Sequence, residues 1–357
     1  MDSSPLNITS FGKALRLKGS SIYRWYRDVL SSYAQDGGAS VHENDIKVGN
    51  PGKQKTIDVP IFEEANFGEK MAIDEKHIGE DFYTIISNRQ TGKIAMLCNS
   101  YKFTELEHVM LNHPSVLKKV KSVTRDFSGL YQKFCSQLFP CAVQIGDKFH
   151  VIRHLMEANQ AIRIKYRQKE LEKRRLALKI FKQSEKSRME ECERTGQVFK
   201  HKKFQYKEQR LENGETPMEL LARSRYLLFK FPFQWTPKQQ KRANVLFSLH
   251  PQIKQAYDLS CQFRNLMSKK NIGRQYLEID KQLHLWYENV EDANIDEILN
   301  FKSLVESNEE YIVNYFIEGE TNAMAEGINS KIQKFISSNQ GTRDRDFFFF
   351  RLAKYFS

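Results

Sequence analysis

The 357-residue chain has no apolar run of the roughly 18 residues that a membrane-spanning helix needs, so no membrane contact is expected. Its opening residues, MDSSPLNITS, lack the basic and apolar regions of a secretory signal. A cytoplasmic location is the resulting expectation. The five cysteines (Cys98, Cys135, Cys141, Cys192 and Cys261) form no C-x-x-C pair, and their number is odd. A disulfide framework and a thiolate zinc site are both unsupported, which leaves most of them as small core residues. No repeat of fixed period occurs, which argues against solenoids and propellers. Acidic residues are in deficit: the net charge is +12. Residues 161–210 alone hold 17 Lys and Arg against 7 Asp and Glu, a local surplus of +10. Such a segment is either a solvated, charged helix pair or a phosphate-binding surface stabilised by counterion release.

The N-terminal stretch TSFGKALRLKGSSIYRWYRDVLSSY, residues 9–33, reads as two short helices about a turn at Gly19. Ile22, Trp25, Tyr26, Val29 and Leu30 are expected to face a core, with Arg24 and Arg27 outside. This is helix-turn-helix spacing, shared by many helical hairpins that touch no DNA. The following Gly-, Asp- and Lys-rich residues, 34–60, read as a linker. Strand candidates then come as KMAIDEKHI, FYTIISN and KIAMLCN, the last two joined by an RQTG turn. A helix (103–113), a strand (120–126), a helix (128–139) and a strand (141–147) follow. This order predicts a mixed sheet, antiparallel on one side and parallel on the other. From Lys148 to about Glu310 the signal is nearly all helical, with Pro217 and Pro237 at first helical turns.

The stretch ETNAMAEGINSKIQKF, residues 320–335, is a helix with two unlike faces. Met324, Ile328, Ile332 and Phe335 make an apolar stripe. Asn322, Glu326, Asn329 and Gln333 fall within roughly 60° of one another on the opposite side. That stripe holds one acid among three amides, unlike the mixed Lys and Glu of a solvated face. Asp74 stands at the end of the first strand and Asp126 at the end of the fourth, where open α/β sheets bind ligands. Taken singly, an Asp after a strand is usually a turn or cap residue, and a lone helix Glu is a surface acid. Taken together, three carboxylates repel unless a cation neutralises them. Hard divalent ions with oxygen ligands, Mg2+ or Mn2+, fit that need. Two such ions support phosphoryl transfer.

The order of strands and acids resembles the ribonuclease H-like core of DDE transposases. The motifs AIDEKHIGEDFYTIISNRQTGKIAML, VTRDFSGLY, FPCAVQIGDKFHVIRHLMEANQAIRIKYR, TNAMAEGINSKIQKF and GTRDRDFFFFRL resemble the ISL-three group of bacterial insertion-sequence transposases. With the helical stretches between them they span residues 70–357. The resemblance implies an α/β fold: a mixed five-stranded sheet with flanking helices, a large helical insertion and a small N-terminal helix-turn-helix. The implied division is 1–33 DNA-binding segment, 34–68 linker, 69–154 first part of the catalytic core, 155–310 basic insertion, and 311–357 the core's C-terminal part.

The resemblance implies that Asp74, Asp126 and Glu326 are the catalytic, metal-binding triad, holding two Mg2+ or Mn2+ ions. It also marks GDKFHV, with Asp147, Phe149 and His150, as a family signature. Asp147 is the rival for the second acid; Asp126 is preferred because the fourth strand neighbours the first in this type of fold. Asp147 and His150 then either position DNA or support the triad, with Asn322 and Asn329 as further supporting residues, His150 being equally readable as a core residue at a helix start. Double-stranded DNA is the implied partner, both the terminal inverted repeats and the target, met by a homo-oligomer in a cytoplasmic, nucleoid-associated setting. Arg24, Arg27, Lys165, Arg167, Lys173, Arg174 and Arg175 are the candidate DNA contacts. Many relatives carry a cysteine-rich N-terminal segment that this sequence does not provide, so end recognition is expected to need a further protein segment. The alternatives are a DNA-binding regulator without catalysis, an inactive remnant of a transposase, and a structure-selective nuclease on the same core.

Overall fold

The computed structural model describes residues 5, 7–34, 46–48, 55–318, 323–339 and 344–356; the side chains of 46–48, 55 and 323–326 are outside that description. The chain forms two compact units, Met1–His150 with Asn308–Ser357, and Val151–Ser307.

The first unit opens with α1 (Ile8–Ala14) and α2 (Gly19–Trp25). Asn7 caps α1 by accepting from Ser10 N. The two helices approach through glycine: a Cβ on Gly12 would overlap Ile22, and one on Gly19 would overlap Thr9. After α2 the chain makes one π-helical turn, Tyr26–Leu30, closed by Ser31 N donating to Tyr26 O. This corrects the expected inward face. Ile22 and Tyr26 are buried, but Trp25, Val29 and Leu30 are 53%, 59% and 53% exposed. The inward stripe is only Ile22 and Tyr26, and the wider turn rotates the residues after Tyr26 away from the face a regular helix would keep inward.

Strands β1 (Ile46–Val48) and β2 (Lys55–Ile57) pair antiparallel. The main sheet is built from β3 (Ile61–Phe62), β4 (Lys70–Ile78), β5 (Asp81–Asn88), β6 (Ile94–Cys98), β7 (Ser122–Arg125) and β8 (Val143–Gly146). Their order is β3-β6-β5-β4-β7-β8. The β4–β5, β5–β6 and β3–β6 pairs are antiparallel, whereas β4–β7 and β7–β8 are parallel. The mixed sheet thus has six strands rather than the expected five. The sixth, β3, lies in the supposed linker, where Ile57, Val59 and Ile61 are buried. A two-residue strand is too short to carry a periodic signal. Gly79, with φ +66°, takes the first position of the two-residue β4–β5 loop, where a left-handed conformation is required.

One sheet face packs on α3 (Phe103–Leu111), the short α4 (Pro114–Leu117) and α5 (Gly129–Leu138). Met71, Ile73, Met96 and Val123 meet Leu106, Met110, Phe134 and Leu138 there. The helices that follow in the sequence are α6 (Lys148–Thr195), α7 (Pro217–Arg223), α8 (Pro237–Leu249), α9 (Pro251–Leu266), α10 (Tyr276–Ala293), α11 (Asp296–Glu306), α12 (Glu309–Ile317), α13 (Ala323–Ser338) and α14 (Arg345–Phe356). The opposite sheet face packs on α13 and α14: Tyr83, Ile85 and Leu97 share a core with Ile328, Ile332, Phe335, Phe347 and Phe349. Ile8, Ile22 and Tyr26 join the same cluster. The stripe Ile328, Ile332 and Phe335 is buried as its spacing predicts, while the Met324 side chain lies outside the described residues.

The second unit is helical. Thr216 and Thr236 close capping boxes on α7 and α8, each with Pro at the first turn. It is not helical throughout: after Thr195 the chain returns along α6 without regular structure. Phe204 packs on Phe181, and Lys202 N donates to Glu185 Oε2.

Candidate active site

The parallel strands set the geometry. In β4 and β7 the aligned pairs run Lys70–Ser122, Met71–Val123 and Ala72–Thr124. Two residues further along this register, Asp74 stands level with Asp126. In β7 and β8 the last pair is Arg125–Gly146, so the next residues, Asp126 and Asp147, are level as well. Three acids therefore occupy one row across three neighbouring parallel strands, with Asp126 and Asp147 directly after β7 and β8. Asp74 is not at the end of its strand as expected but at the middle of β4, which runs on to Ile78 in its antiparallel pairing with β5. As expected, the fourth of the strands read from sequence, β7, is the direct neighbour of β4, and β8 lies one place farther out.

Each acid is held by its own surroundings. Asp74 Oδ2 accepts from Asn329 Nδ2 of α13 at 2.5 Å, and its Oδ1 accepts from Glu75 N at 2.8 Å. Asp126 Oδ1 accepts from Ser128 N at 2.9 Å, an Asx turn leading into α5. Asp147 stands immediately before α6 and caps it, its Oδ1 accepting from Phe149 N at 2.8 Å. His150, one turn into α6, brings Nε2 to 3.8 Å from Asp74 Oδ1 and 3.7 Å from Asp147 Oδ2. Asp147 and His150 are both buried, whereas Asp74 and Asp126 are partly exposed.

The electrostatics record the crowding. The Glu75 carboxyl is raised above its ordinary range by partial desolvation, then by the negative charges of Asp126 and Asp74. Tyr131, on α5, is pushed up by burial, with Glu75, Asp126 and Asp74 adding to it. Lys76 Nζ lies 3.4 Å from Asn329 O, and burial lowers its pKa despite the nearby Asp74 charge.

Arg125 is a residue that sequence reasoning missed. Its side chain is fully buried. Nη1 donates to Asp126 O and Nε to Gln144 Oε1, both at 2.7 Å, and the guanidinium lies 4.2 Å over the Tyr311 ring. It fixes the backbone from which Asp126 projects. The only sequence signal was an Arg at the last position of a core strand, where a buried cation needs a specific reason.

The other expected residues are less uniform. Glu326 lies in α13 three residues before Asn329, with its side chain outside the described residues, and Asn322 is outside them entirely. Arg24, Arg174 and Arg175 are exposed. Arg27 is tied to Asp344 and Asp28 at 2.8 and 2.6 Å. Lys165 pairs with Glu297 at 3.3 Å and Lys173 with Glu170 at 2.7 Å, while Arg167 is half-buried.

The donor set is all oxygen, carboxylates with a neutral amide orienting one of them, which fits a hard divalent cation rather than a soft metal. Acids in a row across parallel strands, in a chain whose positive charge is concentrated in residues 161–210, suit work on a polyanionic backbone. The chain belongs to the ISL-three group of DDE transposases, whose family model, described as a transposase, matches residues 71–352. Membership makes the protein an enzyme that cuts and joins DNA, from a family that generally uses divalent metals. No curated protein and no solved structure matches the chain. Among the described residues no helix is long and apolar enough to cross a membrane.

Proposed function

We propose that this transposase binds the ends of its element and performs strand cleavage and strand transfer with Asp74, Asp126 and Glu326 as its metal-binding triad. The single observation that carries this reading is the register row of acids in the middle of β4 and directly after β7 and β8, with an amide of the Glu326-bearing helix on Asp74. Asp74, Asp126 and Glu326 would hold two Mg2+ or Mn2+ ions, which when bound supply charge neutralisation for in-line displacement at phosphorus.

The protein's own groups prepare that site. Asn329 donates to one oxygen of Asp74 and so fixes which way the carboxylate turns. Ser128 N and the Arg125 clamp fix Asp126 from the backbone side. Asp126 is favoured over Asp147 because it is the more exposed and is held through Oδ1 alone. Asp147 caps α6 with one oxygen and faces His150 with the other. Asp147 and His150 then position the row rather than contact the DNA. Water attacks the phosphodiester at the element boundary and leaves a 3′-hydroxyl, and that hydroxyl attacks a target phosphodiester. The terminal repeats and the target would be gathered by a homo-oligomer. Arg174, Arg175 and their neighbours on α6 would supply backbone contacts that position DNA without reading it.

The test is cleavage of duplex DNA carrying the element's end, with Mg2+ or Mn2+. Asp126→Asn and Glu326→Gln should each abolish cutting while DNA binding persists. Parental cutting by both variants would remove the triad assignment. A dead Asp147→Asn beside an active Asp126→Asn would move the second position to Asp147.

A further inference from the structure

The helical unit carries a surface that the acidic row does not use. Residues 220–257 contain no Asp or Glu and seven Lys or Arg. Glu215 takes up two of these charges, binding Arg242 through both carboxylate oxygens and Arg223 at 3.2 Å. Lys254 pairs with Asp258. Arg225, Lys230, Lys238 and Lys241 remain as the cations flanking an aromatic run, Tyr226–Trp235.

Within that run three rings are exposed, while Phe231 and Trp235 are half-buried. Phe233 is 82% exposed and Tyr226 68%, with Phe229 exposed between them. Single exposed apolar residues are ordinary, but a contiguous set marks an interaction surface. The rings are also ordered against one another. Phe231 and Phe233 lie nearly parallel, 10° apart with centroids at 5.5 Å, and Arg264 covers Phe231 at 3.9 Å. Tyr226 and Phe229 are 6.4 Å apart, with the Arg225 guanidinium 5.4 Å from the Tyr226 ring.

The backbone beneath is fixed. Trp235 Nε1 donates to Leu227 O at 3.0 Å, Tyr257 OH donates to Lys230 O at 2.6 Å, and Phe231 N donates to Gln234 Oε1 at 3.0 Å. Trp235 stacks on Tyr257 at 5.5 Å. The rings are therefore presented by a pinned turn, which lowers the ordering cost of binding.

We propose that the Tyr226–Phe233 surface is a stacking platform for unpaired bases of single-stranded DNA. Aromatic faces accept any base, and interleaved cations without acids follow the phosphate backbone. A protein partner with an apolar helix would use the rings but not the acid-free charge. The proposal rests on the reading of the chain as a DNA-acting enzyme, but it needs no catalysis.

The experiment measures anisotropy of labelled oligothymidylate and of a blunt duplex, with the full-length protein in EDTA. Loss of metal-dependent cutting would leave this measurement untouched, so the two readings fail separately. Phe233→Ala and Tyr226→Ala should each weaken oligothymidylate binding by about 5- to 100-fold, as loss of one stacked base predicts. Duplex binding should change by less than about twofold, and Phe233→Trp should restore single-strand affinity. Unchanged single-strand binding in both alanine variants would overturn the proposal. Equal loss on both DNA forms, or a loss of self-association in sedimentation with single-strand binding intact, would also overturn it.

Discussion

The two units divide the chemistry by charge. The sheet unit gathers carboxylates in one row across β4, β7 and β8, in a setting tight enough to raise Glu75. The helical unit contains the segment with +10 of the chain's +12, and its best-buried acid, Glu215, is occupied by two arginines. Carboxylates close together invite small cations, and lysines and arginines on a helix invite phosphates. A single mixed surface would neutralise itself. Placing the two functions in separate cores lets each keep an unbalanced charge.

The sharpest way to break the comparison is to remove a charge from the acidic row. Asp74→Asn should cut the cleavage rate by at least about a thousandfold, the loss of several kcal/mol of transition-state stabilisation, with DNA affinity retained. Single-turnover kinetics beside a binding assay would check this. In the helical unit the corresponding acid is structural. Glu215→Gln leaves two arginines without their anion, and should cost about 3 kcal/mol in denaturant unfolding of that unit. Hydrogen bonding to Arg242, then to Arg223, holds the Glu215 carboxyl below its ordinary range despite burial. Its contribution is therefore full above the ordinary Glu pKa and is lost as pH falls through the lowered value. The parent should lose more stability on acidification than the variant does.

Smaller effects sharpen the picture. Asn329→Ala should weaken metal-dependent activity by about 10- to 100-fold through a loosened Asp74, with part of the loss recovered at high Mn2+. Lys173, Arg174 and Arg175, each changed to Ala, should lower the salt dependence of duplex affinity by about 0.9 per phosphate contact removed, without altering sequence preference. Lys173, already paired with Glu170, should contribute least. Glu75→Gln should stabilise the metal-free protein slightly at neutral pH, by at most about 0.5 kcal/mol in denaturant unfolding. The sign follows from the raised carboxyl, whose neutral form is favoured: its contribution is full below the ordinary Glu pKa and lost as pH rises through the raised value.

What the sequence disclosed depended on periodicity. Strands β4 to β8 and the helices between them carry alternating or 3.6-residue patterns, and the stripe Ile328, Ile332 and Phe335 declared its buried face. The amide of Asn329 was legible for the same reason, as a polar residue opposite that stripe. Strand β3 was hidden because two residues make no pattern. The exposure of Val29 and Leu30 was hidden because a π-helical turn breaks the count after Tyr26. Arg125 was hidden because its partners, Gln144 and Tyr311, come from distant segments that no local pattern links to it. The Tyr226–Phe233 rings fall in a span read as mostly helical, whereas α7 ends at Arg223, and only three-dimensional exposure separates them from an ordinary core.

The division of the chain also orders its synthesis. Tyr23, Tyr26 and Tyr33 pack on Phe347 and Phe350, so residues made first wait for residues made more than 300 positions later. Asn329 leaves the ribosome about 180 residues after Asp147, a gap of about 10–40 s at ordinary elongation rates. During that interval the contiguous helical unit is fully translated, while the nascent sheet has a carboxylate row without its amide. A prematurely terminated polypeptide would thus carry the basic helices and lack the amide that orients Asp74, so the acidic row is completed only after the helical unit has been made.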